Sequence, residues 1–214
     1  MSGIGGLTVD EFKRRIQRFE RAYIADWNGW LSTQQADRAE RLGSILRGWQ
    51  ACRPNRMRRT RVEGRHDAPY LEDLIHCAGE DLRALDQFEL REEASFSTEN
   101  LQALARLWDI FSNLSYVGRA RNGLAGVVGI SKAVLLLTEG RVGPAFDSTV
   151  RVNLGLRVID NSCEWINALQ VASRDIQMFE RKNDVTLHAA CPEPHSQLRS
   201  GRIYDMALGP GAGS

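Results

Sequence analysis

Residues Leu124–Arg151 run LAGVVGISKAVLLLTEGRVGPAFDSTVR, and the reading of this stretch decides the reading of the chain. Small residues and glycines at Ala125, Gly126 and Gly129 lead into the apolar run Ala133 to Leu137, with Lys132 just ahead of it. This pattern predicts a turn feeding a buried helix, from about Ser131 to Glu139. Pro144 then opens a second element through Val150 and Leu154, because proline costs no hydrogen bond in a first turn. Asp147 falls in that first turn, where the helix dipole favours a carboxylate for structural reasons alone. A turn between two helices also leaves backbone N–H groups free at the start of the second, and there an anion such as a DNA phosphate is favoured. Gly126, Gly129 and Ser131 are the residues of that candidate phosphate grip.

Outward from this stretch the spacing is helical. Thr8 precedes VDEFKRRIQRFERAYIADW with Glu11 three residues on, a capping box, and Phe12, Ile16, Phe19, Tyr23 and Trp27 recur at three- and four-residue steps. A second helix is expected from Ser32, stopping before Pro54, and a third opens at Pro69. Ser97 or Thr98 caps the next, and Asp160 is expected to cap a long one whose stripe is Trp165, Leu169, Ala172 and Ile176. Strand signals are nearly absent: no sustained alternation, and no Asn-Gly turn between β-branched runs. The expectation is an all-α domain of about seven helices over residues 1–190. A tail over 191–214 has little periodicity, and its Tyr204, Asp205 and Met206 are expected to pack partly on the core, since such residues are not ordinarily left in a free tail. A segment of that kind is also a candidate cover for a flipped base.

With 214 residues, 43% hydrophobic and 26% charged, the chain suits one domain with a real core. Its formal charge of +1 argues neither for nor against nucleic acid, so local clustering has to decide. Cys52, Cys77, Cys163 and Cys191 are far apart and form no metal-type cluster, and His66, His76, His188 and His195 lack ligand spacing, so no metal is expected. The start, MSGIGGLTVDEFKRR, has no apolar signal core, and no run approaches the roughly 18 apolar residues of a membrane span. A soluble cytosolic protein with reduced thiols is the expectation.

Charge does cluster between the second and third helices, in RGWQACRPNRMRRTRVEGRH. Arg47, Arg53, Arg56, Arg58, Arg59, Arg61 and Arg65 face a single acid of that segment, Glu63. Guanidinium forks match phosphate geometry, and neutralising a phosphate backbone releases counterions. The alternative is a solvated loop whose arginines pair with Glu72, Asp73, Glu80 and Asp81 of the next helix. Trp27 and Trp30 present a similar choice between an exposed stacking platform for bases and helix-end packing.

Leu124, Ala125, Gly126, Val127, Gly129, Lys132 and Ala133, then Pro144, Asp147, Val150 and Arg151, resemble the hairpin and catalytic segment of the helix-hairpin-helix DNA glycosylases of the endonuclease III and adenine-glycosylase type. The likeness covers about thirty residues. It departs from the family in an extra residue within GVVG and in a shorter span from Ala133 to Asp147. The resemblance implies a hairpin gripping DNA phosphate through backbone N–H groups. It also implies an aspartate, here Asp147, acting at the glycosidic bond, and for bifunctional members a Schiff-base lysine, here Lys132. Arg53, Arg56, Arg58 and Arg59 would hold further phosphates. Cys163 and Cys191 stand too far apart for the family's four-cysteine loop, so no iron–sulfur cluster and no other cofactor is expected.

Two functions follow from this reading. One is a DNA-interacting protein that cleaves the N-glycosidic bond of a damaged base. The other is a non-enzymatic helical protein in which Gly126, Gly129 and Pro144 only shape helix junctions. A common solvent-open cleft holding Lys132 and Asp147 and flanked by the arginine-rich connector favours the first; Asp147 capping a helix on a surface remote from those arginines counts against it.

Overall fold

The computed structural model describes residues 3–52, 56–64, 69–115 and 124–211. Among them the chain is all-helical, with eleven α-helices and no strand beyond an isolated bridge between Met57 and Ser115. The helices are α1 (Val9–Arg18), α2 (Arg21–Leu31), α3 (Arg38–Gly48), α4 (Leu71–Cys77), α5 (Gly79–Ala84), α6 (Thr98–Ser112), α7 (Val127–Leu137), α8 (Ser148–Leu154), α9 (Ser162–Asn183), α10 (Leu187–Ala190) and α11 (Ser200–Leu208). No helix of the described residues is long and apolar enough to cross a membrane.

Eleven helices replace the expected seven because α10 and α11 form beyond the last expected helix, α11 in a tail with little sequence periodicity, and because two long periodic stretches are each broken. The first bends at Phe19, whose extended backbone (φ −56°, ψ 140°) ends α1 and lets α2 start after Glu20. Phe12 and Ile16 are buried on one side of that bend and Trp27 and Trp30 on the other, so one apolar stripe serves two helix directions. The helix opened by Pro69 is likewise split, into α4 and α5 at Ala78. α3 starts at Arg38 rather than Ser32, after a short 3-10 turn at Gln35–Asp37.

The start signals act as expected at Thr8, whose hydroxyl accepts the Glu11 N–H while Glu11 returns to the Thr8 N–H. Ser97 caps α6. Asn161, one residue beyond Asp160, caps α9, and Asp160 instead gives its N–H to Glu164.

α7 is the axis of the fold. Nine of its eleven residues are buried, as a helix apolar around most of its circumference requires, and it packs between α3 and α6. The helix begins at Val127, four residues earlier than expected, so Ser131 and Lys132 lie within it rather than in its first turn. α9 backs α6, with Trp165 and Trp108 rings 5.9 Å apart. α11 closes the other side against α1, α8 and α10; all nine of its residues are buried, so this part of the tail is core. Trp27 and Trp30 are buried too, and the Trp30 indole donates to the Leu136 carbonyl at 2.7 Å, so neither is a stacking platform.

Candidate functional site

Asp147 is the N-cap of α8: its Oδ1 accepts the Val150 N–H at 3.0 Å. That satisfies one of the helix's orphan donors and fixes the side chain's direction. The residue is half-buried, and among the described residues Oδ2 has no hydrogen-bond partner.

Lys132 is only 4% exposed, and its amine donates to the Trp49 carbonyl at 3.0 Å. The Tyr23 and Trp49 rings flank it, their centroids 5.6 and 5.7 Å from Nζ and 5.0 Å from each other. One hydrogen bond and two ring faces are thin compensation for a buried ammonium. Burial accordingly holds the Lys132 pKa below the ordinary lysine value, against the opposite pull of Asp147, Asp205 and Cys52. Burial likewise raises the neighbouring Tyr23 phenol, and the charges of Glu20, Asp147, Asp205 and Asp26 raise it further. Lys132, Asp147, Asp205 and Tyr23 are therefore one electrostatic cluster, contributed by α7, the start of α8, α11 and α2.

Asp205 is 5% exposed. Its Oδ1 accepts the Ala145 N–H at 2.9 Å and its Oδ2 pairs with Arg202 at 2.6 Å. Arg202 is buried between aromatic faces, its guanidinium carbon 4.6 Å from the Trp27 ring and 5.0 Å from the Phe19 ring. The sequence names Asp205 only within a tail segment that packs on the core and is a candidate base cover, not beside Lys132 and Asp147, and it does not name Arg202. The available signal was an acid and an arginine three residues apart in the otherwise apolar GRIYDMALG, a spacing that lets the two meet on one helix face.

The candidate phosphate grip divides. Gly126, the N-cap of α7, is exposed, and a Cβ placed on it would meet nothing within 4 Å. Gly129 is pressed against the connector: a Cβ there would lie 2.5 Å from Cys52 Sγ and 3.2 Å from the Ala51 carbonyl oxygen. Its lack of a side chain serves packing. Ser131 is 2% exposed, and its hydroxyl donates to the Val127 carbonyl and accepts the Phe146 N–H at 2.9 Å. That hydroxyl ties α7 to the segment carrying Asp147 and is not presented to a phosphate.

The connector lies close by. It leaves α3 at Trp49, passes Gly129 at Ala51 and Cys52, and returns at Arg58, whose N–H donates to the Leu114 carbonyl at the end of α6. Arg53 and Arg65 lie outside the described residues. Arg47 and Arg59 both reach Glu63, Arg61 makes a two-pronged bond to Asp73 at 2.7 and 2.9 Å while covering the Tyr70 ring, and Arg58 donates to the Asn113 carbonyl. Arg56, Arg58 and Arg59 are half-buried. Asp147 thus caps a helix, and Lys132, which its charge influences, is held by the carbonyl of Trp49, where the connector starts. Lys132 itself does not open onto solvent, so the expected open cleft shared by Lys132 and Asp147 is not formed.

Cys52, between connector and α7, is buried, and burial pushes its thiol up to about 11. Among the described residues no group of three or more histidine, cysteine, aspartate or glutamate side chains could hold a metal ion. No protein-family model, no curated protein and no solved structure matches this chain.

Proposed function

We propose that the chain is a DNA-interacting protein with a divergent glycosylase-like core, in which Asp147 acts at the N-glycosidic bond of a damaged base. The observation that carries the reading is the state of Asp147 itself. One carboxylate oxygen is fixed by the Val150 N–H, the other has no partner among the described residues, and the buried Lys132 amine lies within its electrostatic reach.

That arrangement suits a departing base. When the C1′–N bond breaks, its electron pair leaves with the base and the sugar carbon becomes cationic. A carboxylate held in place beforehand stabilises that cation, or takes a proton from the water that adds to it. Burial works in the same direction by strengthening the interaction. Lys132, as an ammonium, balances the carboxylate's charge; its burial against the Trp49 carbonyl counts against the Schiff-base role. For the nucleic-acid partner, support comes from the exposed start of α7 at Gly126, which has no side-chain cap, beside a connector rich in arginine.

The second reading, a non-enzymatic helical binding or assembly protein, is favoured by a different observation. Arg47, Arg59 and Arg61 are engaged with Glu63 and Asp73 of the protein itself, as a solvated loop would have them. Duplex oligonucleotides carrying deaminated, oxidised or alkylated bases separate the two. Base release together with DNA binding that weakens steeply as salt rises is the expected result; neither release nor salt-sensitive binding would leave only the second reading.

A further inference from the structure

We infer that Asp205 is a positioning residue for this site: it holds the segment that carries Asp147 through the Ala145 amide, and it places a fixed negative charge in the surroundings of the Lys132 amine. The inference deepens the proposed site and rests on the reading that Asp147 and Lys132 compose it.

The contact begins in the chain's smallest residues. α11 approaches the loop after α7 glycine to glycine: a Cβ on Gly201 would lie 2.6 Å from the Gly140 carbonyl oxygen and 2.9 Å from the Gly143 nitrogen. At that range the Arg202 N–H donates to the Gly140 carbonyl at 3.1 Å. One helical turn further on, Asp205 reaches the same loop and accepts the Ala145 N–H, two residues before Asp147. Its second oxygen is held by Arg202, whose guanidinium lies between the Phe19 and Trp27 rings and donates from Nη2 to the Tyr23 carbonyl at 3.4 Å. Asp205 thereby couples three segments, the Asp147 loop, α11 and α2, and α2 also supplies the Tyr23 ring beside Lys132.

A buried carboxylate needs hydrogen bonds and a counter-charge to remain ionised. Arg202 and the Ala145 N–H supply both, and they oppose the rise in pKa that burial and Asp147 impose on Asp205. The ionisable groups around the Lys132 amine are Asp147 at the start of α8, Asp205 on α11, Cys52 on the connector and Tyr23 on α2. The two carboxylates favour the ammonium form. Removing the charge of Asp205 while keeping its shape therefore lowers the Lys132 pKa further.

The chain's composition makes this measurable. Lys13, Lys132 and Lys182 are its only lysines, so a protein labelled with carbon-13 at lysine Cε gives three titrating signals. In Asp205→Asn the Lys132 midpoint is expected to fall by about one pH unit while the other two stay in place. Tyr204→Phe is the control: it sits on the same helix and loses a 2.7 Å hydrogen bond to Asp175 without changing a charge near Lys132. Its Lys132 midpoint should match wild type. Asp205→Ser provides a second neutral variant should the asparagine not fold. The inference is overturned by a folded neutral variant with an unmoved Lys132 midpoint, by an equal shift in Tyr204→Phe, or by failure of both neutral variants to fold while Tyr204→Phe folds, which would assign Asp205 to the fold alone. None of these readouts needs DNA: a chain that releases no base yet shows the Lys132 shift keeps the electrostatic role of Asp205 and loses the proposed function.

Discussion

The connector and the Lys132 cluster handle charge in opposite ways. The connector crowds seven arginines into about twenty residues, yet Arg47, Arg59 and Arg61 meet carboxylates at or near the surface, where water and salt weaken each pair. The Lys132 cluster has one lysine and two aspartates dispersed over more than seventy positions, and packing removes most of the water between them. Density of charge along a sequence is therefore a poor guide to where electrostatics is strong. Burial decides, because the same unit charge interacts several times more strongly as the effective dielectric constant falls.

The sharpest way to break this contrast is to remove one partner on each side. Arg202→Met leaves Asp205 buried without its counter-charge and is expected to cost about 3–5 kcal/mol of stability in chemical denaturation. Arg61→Gln, which removes an exposed partner of Asp73, should leave the denaturation midpoint unchanged. Equal effects would erase the distinction between the two regions.

The two hairpin glycines extend the comparison to packing. Gly129→Ala must move Cys52 or the Ala51 carbonyl and is expected to cost about 1–3 kcal/mol. Gly126→Ser adds its atoms in open space at a helix N-cap and should change stability by less than about 0.5 kcal/mol. A Gly126→Ser variant as damaged as Gly129→Ala would contradict the exposed start of α7.

A smaller effect concerns pH. The Lys132 amine has a lower pKa folded than unfolded, so between those two values the unfolded chain holds the extra proton and stability rises with pH. Cys52 acts the other way: its thiol is pushed up to about 11, so stability falls as pH passes the ordinary thiol value towards that figure. Comparing wild type with Lys132→Met isolates the first contribution, since both retain Cys52. The stability difference, wild type minus variant, should grow as pH rises towards the ordinary lysine value; a constant difference would mean the amine is not desolvated in solution.

Much of this was legible in the sequence, for reasons that differ by element. The Thr8 box, the Ser97 cap and the apolar helix through Ala133 to Leu137 depend on neighbours in the chain, and local spacing reports them, though it puts the start of that helix four residues late. The bend at Phe19 carries no proline or glycine, so tertiary packing imposes it on a continuous apolar stripe, whereas the split at Ala78 adjoins Gly79, a weak helix former. Asp147 and Lys132 could be singled out, but the burial of Lys132 could not, because it depends on Trp49 and Tyr23, 83 and 109 positions away. Ser131 shows the same limit from the other side. A serine near the start of a helix suggests an exposed hydroxyl, and only the fold shows it bonded between Val127 and Phe146. Asp205 lay in a segment with little periodicity, and its link to Ala145 spans 60 positions.

The proposed function requires Asp147 to act chemically beyond its capping of α8, and asparagine separates these roles because it caps a helix about as well as aspartate. The deciding measurement is base release from a damaged duplex at saturating DNA by wild type, by Asp147→Asn and by the double variant Arg56→Gln/Arg59→Gln. Asp147→Asn is expected to keep its stability within about 0.5 kcal/mol while turnover falls roughly 100-fold or more, and the arginine variant to need more DNA to saturate but keep its kcat. Turnover by Asp147→Asn at the wild-type rate would contradict a chemical role for Asp147.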